Sequence, residues 1–260
     1  MPMLALDDVT LNYEVSGEGA PLVFANSLGT DMHLWDSVLP FLPQGLKIIR
    51  YDKRGHGRSS VPNAPYSMGA LISDAERLLD HLQVKGCVFV GLSIGGIIAQ
   101  GLAVKRLDLI RAMVLSNTAA KVGTVEMWQK RIDDIGATGL DAAADTVMQR
   151  WFSPAFCKSD AVKPWRKMLI ETPLEGYLGC SAAIQGTDFY TTTASLTLPT
   201  LAIAGSDDGA TPSDLVRETA DLIKGSHFHL MRGAGHLPCA EKPEEYASLL
   251  TDFLQKIGHI

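Results

Sequence analysis

The sequence predicts an α/β fold: a mostly parallel, doubly wound sheet that carries a helical cap insertion. Two observations predict this class. Short apolar, β-branched runs alternate with longer segments of helical periodicity, which is typical of a parallel sheet with helices on both faces. A stretch without a clear strand then interrupts the alternation. With 260 residues, 46% of them hydrophobic, the chain is long enough for one such domain with an insertion.

The expected strands are short runs that end at glycine or polar residues. The first, over residues 9–15, is polar at alternate positions and ends at Ser16-Gly17-Glu18-Gly19, as in an antiparallel edge hairpin. The later runs are almost continuously apolar, as expected for strands buried on both faces. They cover residues 22–25, 47–51, 87–90, 112–116, 200–204 and 227–231.

Helical periodicity is clearest over residues 67–84 and in the C-terminal stretch from Pro243, where apolar residues recur on one face. The uncharged run of 19 residues between Lys85 and Lys105 has the length of a membrane span. Its five glycines indicate instead a strand and a helix that are joined by a tight turn.

Residues 121–190 form the predicted cap. Helical patterns cover residues 124–135, 142–151, 164–170 and 174–185. Trp128, Trp151 and Trp165 lie in this segment, and such aromatic enrichment favours a cap over a site rather than an irregular decoration. We therefore expect a core domain made of residues 1–120 and 191–260, with residues 121–190 as a cap domain.

Composition narrows the classes of partner and compartment. The net charge of −6 repels phosphates and anionic lipids, so neither nucleic acid nor a membrane is an expected partner. The four cysteines are spaced too widely for a zinc knuckle or a redox pair, which favours a reducing compartment. Because the N-terminus lacks the pattern of a signal peptide, we expect a cytoplasmic protein. A homo-oligomer is compatible with the sequence.

The strongest chemical signal is Gly91-Leu92-Ser93-Ile94-Gly95, a G-x-S-x-G pattern between a predicted strand and a predicted helix. A serine on so sharp a turn needs glycine two positions to either side, because a Cβ there would press against the neighbouring strand or helix. The turn exposes the hydroxyl near a helix N-terminus, which favours developing negative charge. The alternative is an ordinary tight strand–helix turn.

A serine nucleophile needs a base, and seven histidines are available. His236 stands apart because it lies in the glycine-rich loop that follows the last predicted strand. An acid that orients the imidazole is expected in the loop after residues 200–204, where either Asp207 or Asp208 is chemically adequate. The order Ser, Asp, His along the chain distinguishes it from two other serine-hydrolase arrangements.

An oxyanion needs backbone donors, each typically worth ~3–4 kcal/mol of transition-state stabilisation. One expected donor is the N–H of Ile94, directly after the serine. The other is expected in Asn26-Ser27-Leu28-Gly29, the loop that follows the strand over residues 22–25.

With these residues the whole chain resembles the α/β-hydrolase superfamily. Residues 51–59, Tyr-Asp-Lys-Arg-Gly-His-Gly-Arg-Ser, are similar to the D-x-R-G-H-G-x-S stretch of many members, in which the histidine, here His56, is structural. In the superfamily the acid that orients the catalytic histidine is usually the aspartate of a G-x-x-D pattern. In this sequence the pattern runs from Gly205 to Asp208, so the resemblance selects Asp208. It also implies the α/β-hydrolase fold and no metal or organic cofactor.

A narrower resemblance is to the 3-oxoadipate enol-lactonases. Residues 26–31, Asn-Ser-Leu-Gly-Thr-Asp, are similar to the oxyanion loop of that family and imply Leu28 as the second donor. Cap stretches over residues 117–120, 126–131, 150–153 and 175–177 resemble it too, whereas residues 233–238 look more like the general superfamily loop. The resemblance implies hydrolysis of the enol-lactone of 3-oxoadipate in the β-ketoadipate pathway of aromatic compound catabolism.

That substrate is a small anionic lactone, so a net-negative protein needs a local cation to bind it. Arg131 and Arg150 are candidates in the cap, Trp128 and Trp151 are candidates for walls around the ring, and Ser27 is a further candidate contact. The alternative places both arginines in solvent and the tryptophans in the core. Other activities remain open: a carboxylesterase, a cofactor-free perhydrolase, a carbon–carbon bond hydrolase, or a ligand-binding protein without turnover.

Overall fold

The computed structural model describes residues 2–260, and its centre is one sheet of eight strands. The strands are β1 Met3–Ala5, β2 Thr10–Ser16, β3 Ala20–Ala25, β4 Leu46–Tyr51, β5 Cys87–Leu92, β6 Ile110–Ser116, β7 Thr200–Gly205 and β8 His227–Met231. They lie in the order β1-β2-β4-β3-β5-β6-β7-β8. From β4 to β8 all neighbours pair in parallel, which confirms the predicted fold class.

The first predicted strand is antiparallel and lies near the edge of the sheet, as expected, but the hairpin expected after Ser16 is wrong. Strand β2 pairs antiparallel with β4 and with β1, and β1 forms the edge of the sheet. At three residues β1 is too short to show a period in the sequence. The turn after Ser16 leads into β3, but β3 pairs with β4 and β5 and not with β2.

The helices are α1 Met68–His81, α2 Ile94–Lys105, α3 Val125–Trp151, α4 Pro154–Cys157, α5 Lys163–Ile170, α6 Leu174–Gln185, α7 Tyr190–Ala194, α8 Ser213–Leu222, α9 Pro238–Glu241 and α10 Pro243–Lys256. Short 3-10 turns cover Met32–Trp35, Leu39–Phe41 and Asp160–Val162. Helix α3 spans the helices predicted over residues 124–135 and 142–151. The backbone at Gly139, between these two segments, is not helical. Helix α8 was not expected from the sequence.

The predicted strand–turn–helix over the uncharged run is confirmed as β5 and α2, both almost entirely buried. Within residues 2–260 no helix combines the length and the apolarity that crossing a bilayer requires. Between β6 and β7 the regular elements are all helices, as expected for residues 121–190. The division of the chain into a core domain and a cap domain stays a prediction.

Candidate active site

Ser93 occupies the sharp turn between β5 and α2. Its backbone has φ 58° and ψ −119°, a conformation that costs energy for a residue with a side chain. A Cβ at Gly91 would lie 2.2 Å from the carbonyl oxygen of Gly95, and one at Gly95 would lie 2.2 Å from that of Ala25. The two flanking glycines are therefore required by close backbone contacts, which is the physical reason for the motif.

Neighbouring strands hold this turn in place. The N–H of Ser93 donates to the carbonyl of Ser116 over 2.9 Å, and the hydroxyl of Thr118 donates to the carbonyl of Ser93 over 2.6 Å. Ser93 is only half-buried, and it lines a cavity of about 340 Å³. Ile94 begins α2, so its N–H lacks an acceptor inside the helix.

Asp208 and His236 form a buried pair on the loops after β7 and β8. The His236 Nδ1 lies 2.9 Å from Oδ2 of Asp208, while Oδ1 of Asp208 accepts from the N–H groups of Ala210 and Thr211 over 2.7 and 2.9 Å. Asp207 is exposed and points elsewhere, with its carboxylate bound to its neighbour Ser206. The carboxylate that contacts the imidazole is thus that of Asp208, and this contact leaves Nε2 of His236 free to act as a base.

Asn117 supports this pair and was not identified as a site residue from the sequence. Its amide donates 2.9 Å to Oδ2 of Asp208 and 3.2 Å to the carbonyl of Gly235, the residue before His236. It directly follows β6 and has a positive φ of 48°. A polar residue at the carboxyl end of a buried strand was the signal available for it.

The cavity collects nearly all the predicted site residues. Ser93 and His236 both line it, together with the expected oxyanion residues Leu28 and Ile94. The other candidates in its wall are Ser27, Trp128, Arg131, Arg150 and Trp151. Asp208 lies behind His236, outside the lining. The structure therefore brings together side chains from both ends of the chain and from the helical segment.

The loop over residues 26–30 is tied to the loop after β4. Nε2 of the buried His56 accepts from the N–H of Gly29 over 3.0 Å, and the amide of Asn26 donates to the carbonyl of Tyr51 over 2.8 Å. Burial, together with the charge of Lys53, holds the pKa of His56 well below its ordinary value. The imidazole is therefore neutral, and it keeps the lone pair that binds the loop. This matches the structural role that the resemblance implies.

Two guanidinium groups lie in the cavity wall. Arg131 lies 5.4 Å from the ring centre of Trp128, contacts the hydroxyl of Tyr177, and has a buried Nε without a hydrogen-bond partner among residues 2–260. Arg150 donates from Nε to the carbonyl of Gly209 over 3.1 Å. Burial, and next the charge of Arg131, lower the pKa of Arg150, so the two groups share one electrostatic environment.

The C-terminus of α3 fixes the loops that carry Asp208 and His236. The last carbonyls of a helix lack partners inside it. Here the carbonyl of Trp151 accepts from the N–H of His236 over 2.7 Å, and that of Arg150 accepts from the N–H of Gly209 over 3.1 Å. The helical segment thus both lines the cavity and holds the loops that carry Asp208 and His236.

Comparison with known proteins places this chain in a family. The family model described as the alpha/beta hydrolase fold matches residues 20–243. The chain is 34% identical over 237 residues to 3-oxoadipate enol-lactonase 2 of Acinetobacter baylyi, covering 86% of this chain and 89% of the relative. It is 32% identical to 3-oxoadipate enol-lactonase 1 of the same organism, covering 95% and 94%.

A solved structure agrees with these sequences. The enol-lactonase from Burkholderia xenovorans superposes with a TM-score of 0.94 at 32% identity, covering 98% of this chain and 100% of that one. The family match spans most of the chain, and the relatives match it over nearly their whole lengths. The chain therefore belongs to the α/β hydrolase family.

Proposed function

We propose that this protein is a serine hydrolase of the 3-oxoadipate enol-lactonase type, which opens the enol-lactone ring to 3-oxoadipate in the β-ketoadipate pathway of aromatic compound catabolism. One observation carries the proposal. The cavity that contains Ser93 and His236 also contains Arg131 and Arg150. The substrate is proposed from the names of the enol-lactonases to which this chain is similar. It is a five-membered unsaturated lactone with an acetate arm.

In the proposed acylation, Oγ of Ser93 attacks the lactone carbonyl while its proton passes to Nε2 of His236. Asp208 orients the imidazole and stabilises the cation that forms. The N–H groups of Leu28 and Ile94 bind the oxyanion. The ring C–O bond then breaks, and the departing enolate oxygen takes the proton from His236 and tautomerises to the ketone.

In the proposed deacylation, the acyl group stays attached to Ser93 until water removes it. His236 takes a proton from that water as its oxygen attacks the acyl carbonyl, and returns the proton to Oγ of Ser93 as the ester bond breaks. One lactone and one water thus yield one dicarboxylate and one proton, which the new carboxylic acid releases to solvent. No metal or redox partner takes part in these steps.

Charge supports an anionic substrate over a neutral ester. The protein has a net charge of −6, yet among residues 2–260 the acidic side chains do not line this cavity, whereas two guanidinium groups do. A guanidinium presents paired donors that match a carboxylate. The buried, unpartnered Nε of Arg131 is a donor that such a carboxylate would satisfy.

The first experiment compares the enol-lactone with p-nitrophenyl acetate as substrates of the purified protein. We expect a large preference in kcat/KM for the anionic lactone. Ser93→Ala should lower kcat by about 10⁴ or more, and a fluorophosphonate probe should label the wild-type protein at Ser93. A preference for the neutral ester would contradict the anionic substrate, and retained activity in Ser93→Ala would contradict the serine mechanism.

A second experiment tests the arginine wall. Arg131→Met should lower kcat/KM for the lactone by about 30- to 150-fold, the loss of one charge-assisted contact of ~2–3 kcal/mol, and should leave p-nitrophenyl acetate hydrolysis within about twofold. Arg166→Met is the matched control, because Arg166 lies in the same helical segment with its ion pairs to Asp141 and Asp145 on the surface. Equal losses for both substrates would argue that Arg131 supports the fold and does not bind a carboxylate.

A further inference from the structure

Lys53 is a buried lysine that the proposed mechanism does not use. It is 3% exposed and lies in the loop after β4, two residues beyond Tyr51. Its Nζ donates 2.5 Å to the carbonyl of Ser27 and 3.1 Å to the carbonyl of Thr30. A buried ammonium carries a large desolvation cost, so a lysine held on two carbonyls of one loop requires an explanation.

The two acceptors lie in the loop that supplies the expected oxyanion donor. The carbonyl of Ser27 and the N–H of Leu28 belong to the same peptide unit. In a trans peptide these two groups point in opposite directions, so a donor that fixes the carbonyl also fixes the direction of the N–H. Ser27 and Leu28 line the cavity beside Ser93.

A cation on a peptide carbonyl also changes the strength of the N–H. Hydrogen bonds in series polarise one another, and a charged donor does so more than a neutral one. The carbonyl of Ser27 accepts in addition from the hydroxyl and the N–H of Thr30, over 2.9 and 3.3 Å. These neutral donors restrain the loop, and Lys53 alone adds charge.

We propose that Lys53 is a positioning residue of the oxyanion hole: its ammonium polarises the Ser27–Leu28 peptide and directs the Leu28 N–H at the oxyanion that forms when Ser93 attacks. The inference rests on the proposed function. It adds a cation that acts through one peptide unit, without touching the substrate. The charge is useful only while the oxyanion exists, so it raises kcat and leaves substrate binding unchanged.

The environment of Lys53 makes this charge sensitive to pH. Burial lowers the pKa of Lys53 to about 8, against the nearby carboxylates of Asp52 and Asp31, which favour the ammonium. Burial raises the pKa of the Cys180 thiol to about 12, and it keeps His56 neutral. Lys53 is therefore the group facing this loop that loses its charge as pH rises through about 8.

Lys53→Met tests the proposal, because methionine has a similar length and no charge. We expect kcat for p-nitrophenyl acetate to fall about 10- to 50-fold with KM within twofold, less than the 10²–10³ that loss of a whole donor costs. Binding of a boronic acid, whose adduct with Ser93 is tetrahedral, should weaken by the same factor. Binding of adipate, a product-like dicarboxylate, should not change. Lys105→Met, at an exposed lysine on α2, is the control.

The wild-type pH profile tests the proposal even where Lys53→Met does not fold. We expect kcat to fall to a lower plateau as pH rises through about 8, with Lys53→Arg free of this loss because a guanidinium stays charged. Lys53 itself does not destabilise the fold over this range, because between pH 8 and 10.5 the unfolded chain binds more protons at this residue than the folded one. Burial raises the pKa of the Cys87, Cys180 and Cys239 thiols, which lowers stability above pH 9, so circular dichroism at each pH must show that the protein is folded where kcat is measured.

The outcomes separate this inference from the proposed function. A flat kcat between pH 7 and 10, or a Lys53→Met protein with kcat within twofold of wild type, overturns the role of Lys53 while fluorophosphonate labelling of Ser93 still supports the hydrolase. A larger loss of adipate binding than of kcat also overturns it, since Lys53 would then shape the binding site. Failure of the probe to label Ser93 in the wild-type protein instead contradicts the proposed function itself.

Discussion

Replacing Asn117 should reveal what supports the buried carboxylate of Asp208. In the wild-type protein the Asn117 amide donates a 2.9 Å hydrogen bond to that carboxylate, and any replacement of the side chain removes it. Such a bond to a charged group contributes about 1.5–3 kcal/mol to stability. Alanine also strains the backbone, because φ is 48° at this position, which adds about 1 kcal/mol relative to glycine. We therefore expect the free energy of unfolding to fall by about 2.5–4 kcal/mol in Asn117→Ala and by about 1 kcal/mol less in Asn117→Gly.

Urea unfolding followed by circular dichroism at pH 7 measures both differences, and kcat for p-nitrophenyl acetate measures the effect on the site. Because Asp208 orients His236, kcat should fall about tenfold in both variants while KM changes little. The pair of variants separates the two causes, since both lose the hydrogen bond and only alanine carries a Cβ. An alanine variant at least as stable as the glycine variant would refute the backbone argument. Two variants within 0.5 kcal/mol of wild type would refute the hydrogen-bond argument.

Three further predictions concern the fold around the site. Gly95→Ala should lower the free energy of unfolding by about 3 kcal/mol because the added Cβ meets a backbone carbonyl at 2.2 Å, whereas the exposed helical Gly136→Ala should be neutral or stabilising by urea unfolding. Asp74→Asn should lower the free energy of unfolding by about 3 kcal/mol in the same assay. The buried Arg54, 2.7 Å from the Asp74 carboxylate, would then lack its buried counter-charge. A change below 1 kcal/mol would contradict this. The free energy of unfolding should also fall as pH drops below 6.5, because His56 is neutral in the folded protein and takes a proton in the unfolded chain. The urea midpoints at pH 7.5 and 5.5 should therefore differ less in His56→Asn than in the wild type. An equal difference in both proteins would assign the effect to other groups.

Most of the sheet could be predicted because buried parallel strands have a local signature. The predicted strands from residue 22 onward each lie within an observed strand, and the turn at Ser93 could be predicted because only glycine fits beside it. Helix α8 was missed even though its buried face is regular, since it is only ten residues long and buries three of them, one of which is a threonine. The pairing of β2 was wrong because a period of two shows that a strand is half-buried and does not identify its neighbour.

The sequence by itself determined the fold class, the strained serine turn and the histidine loop, because each depends on residues adjacent along the chain. The residues alone left Asp207 and Asp208 open, the resemblance selected Asp208, and the tertiary structure shows its contact with His236. Only the tertiary structure decided that Asn117 holds that carboxylate and that Lys53 binds the loop on both sides of Leu28. These contacts join residues that lie far apart in sequence. Their direction depends on strand order and loop orientation, which packing of the whole chain decides and no local pattern contains.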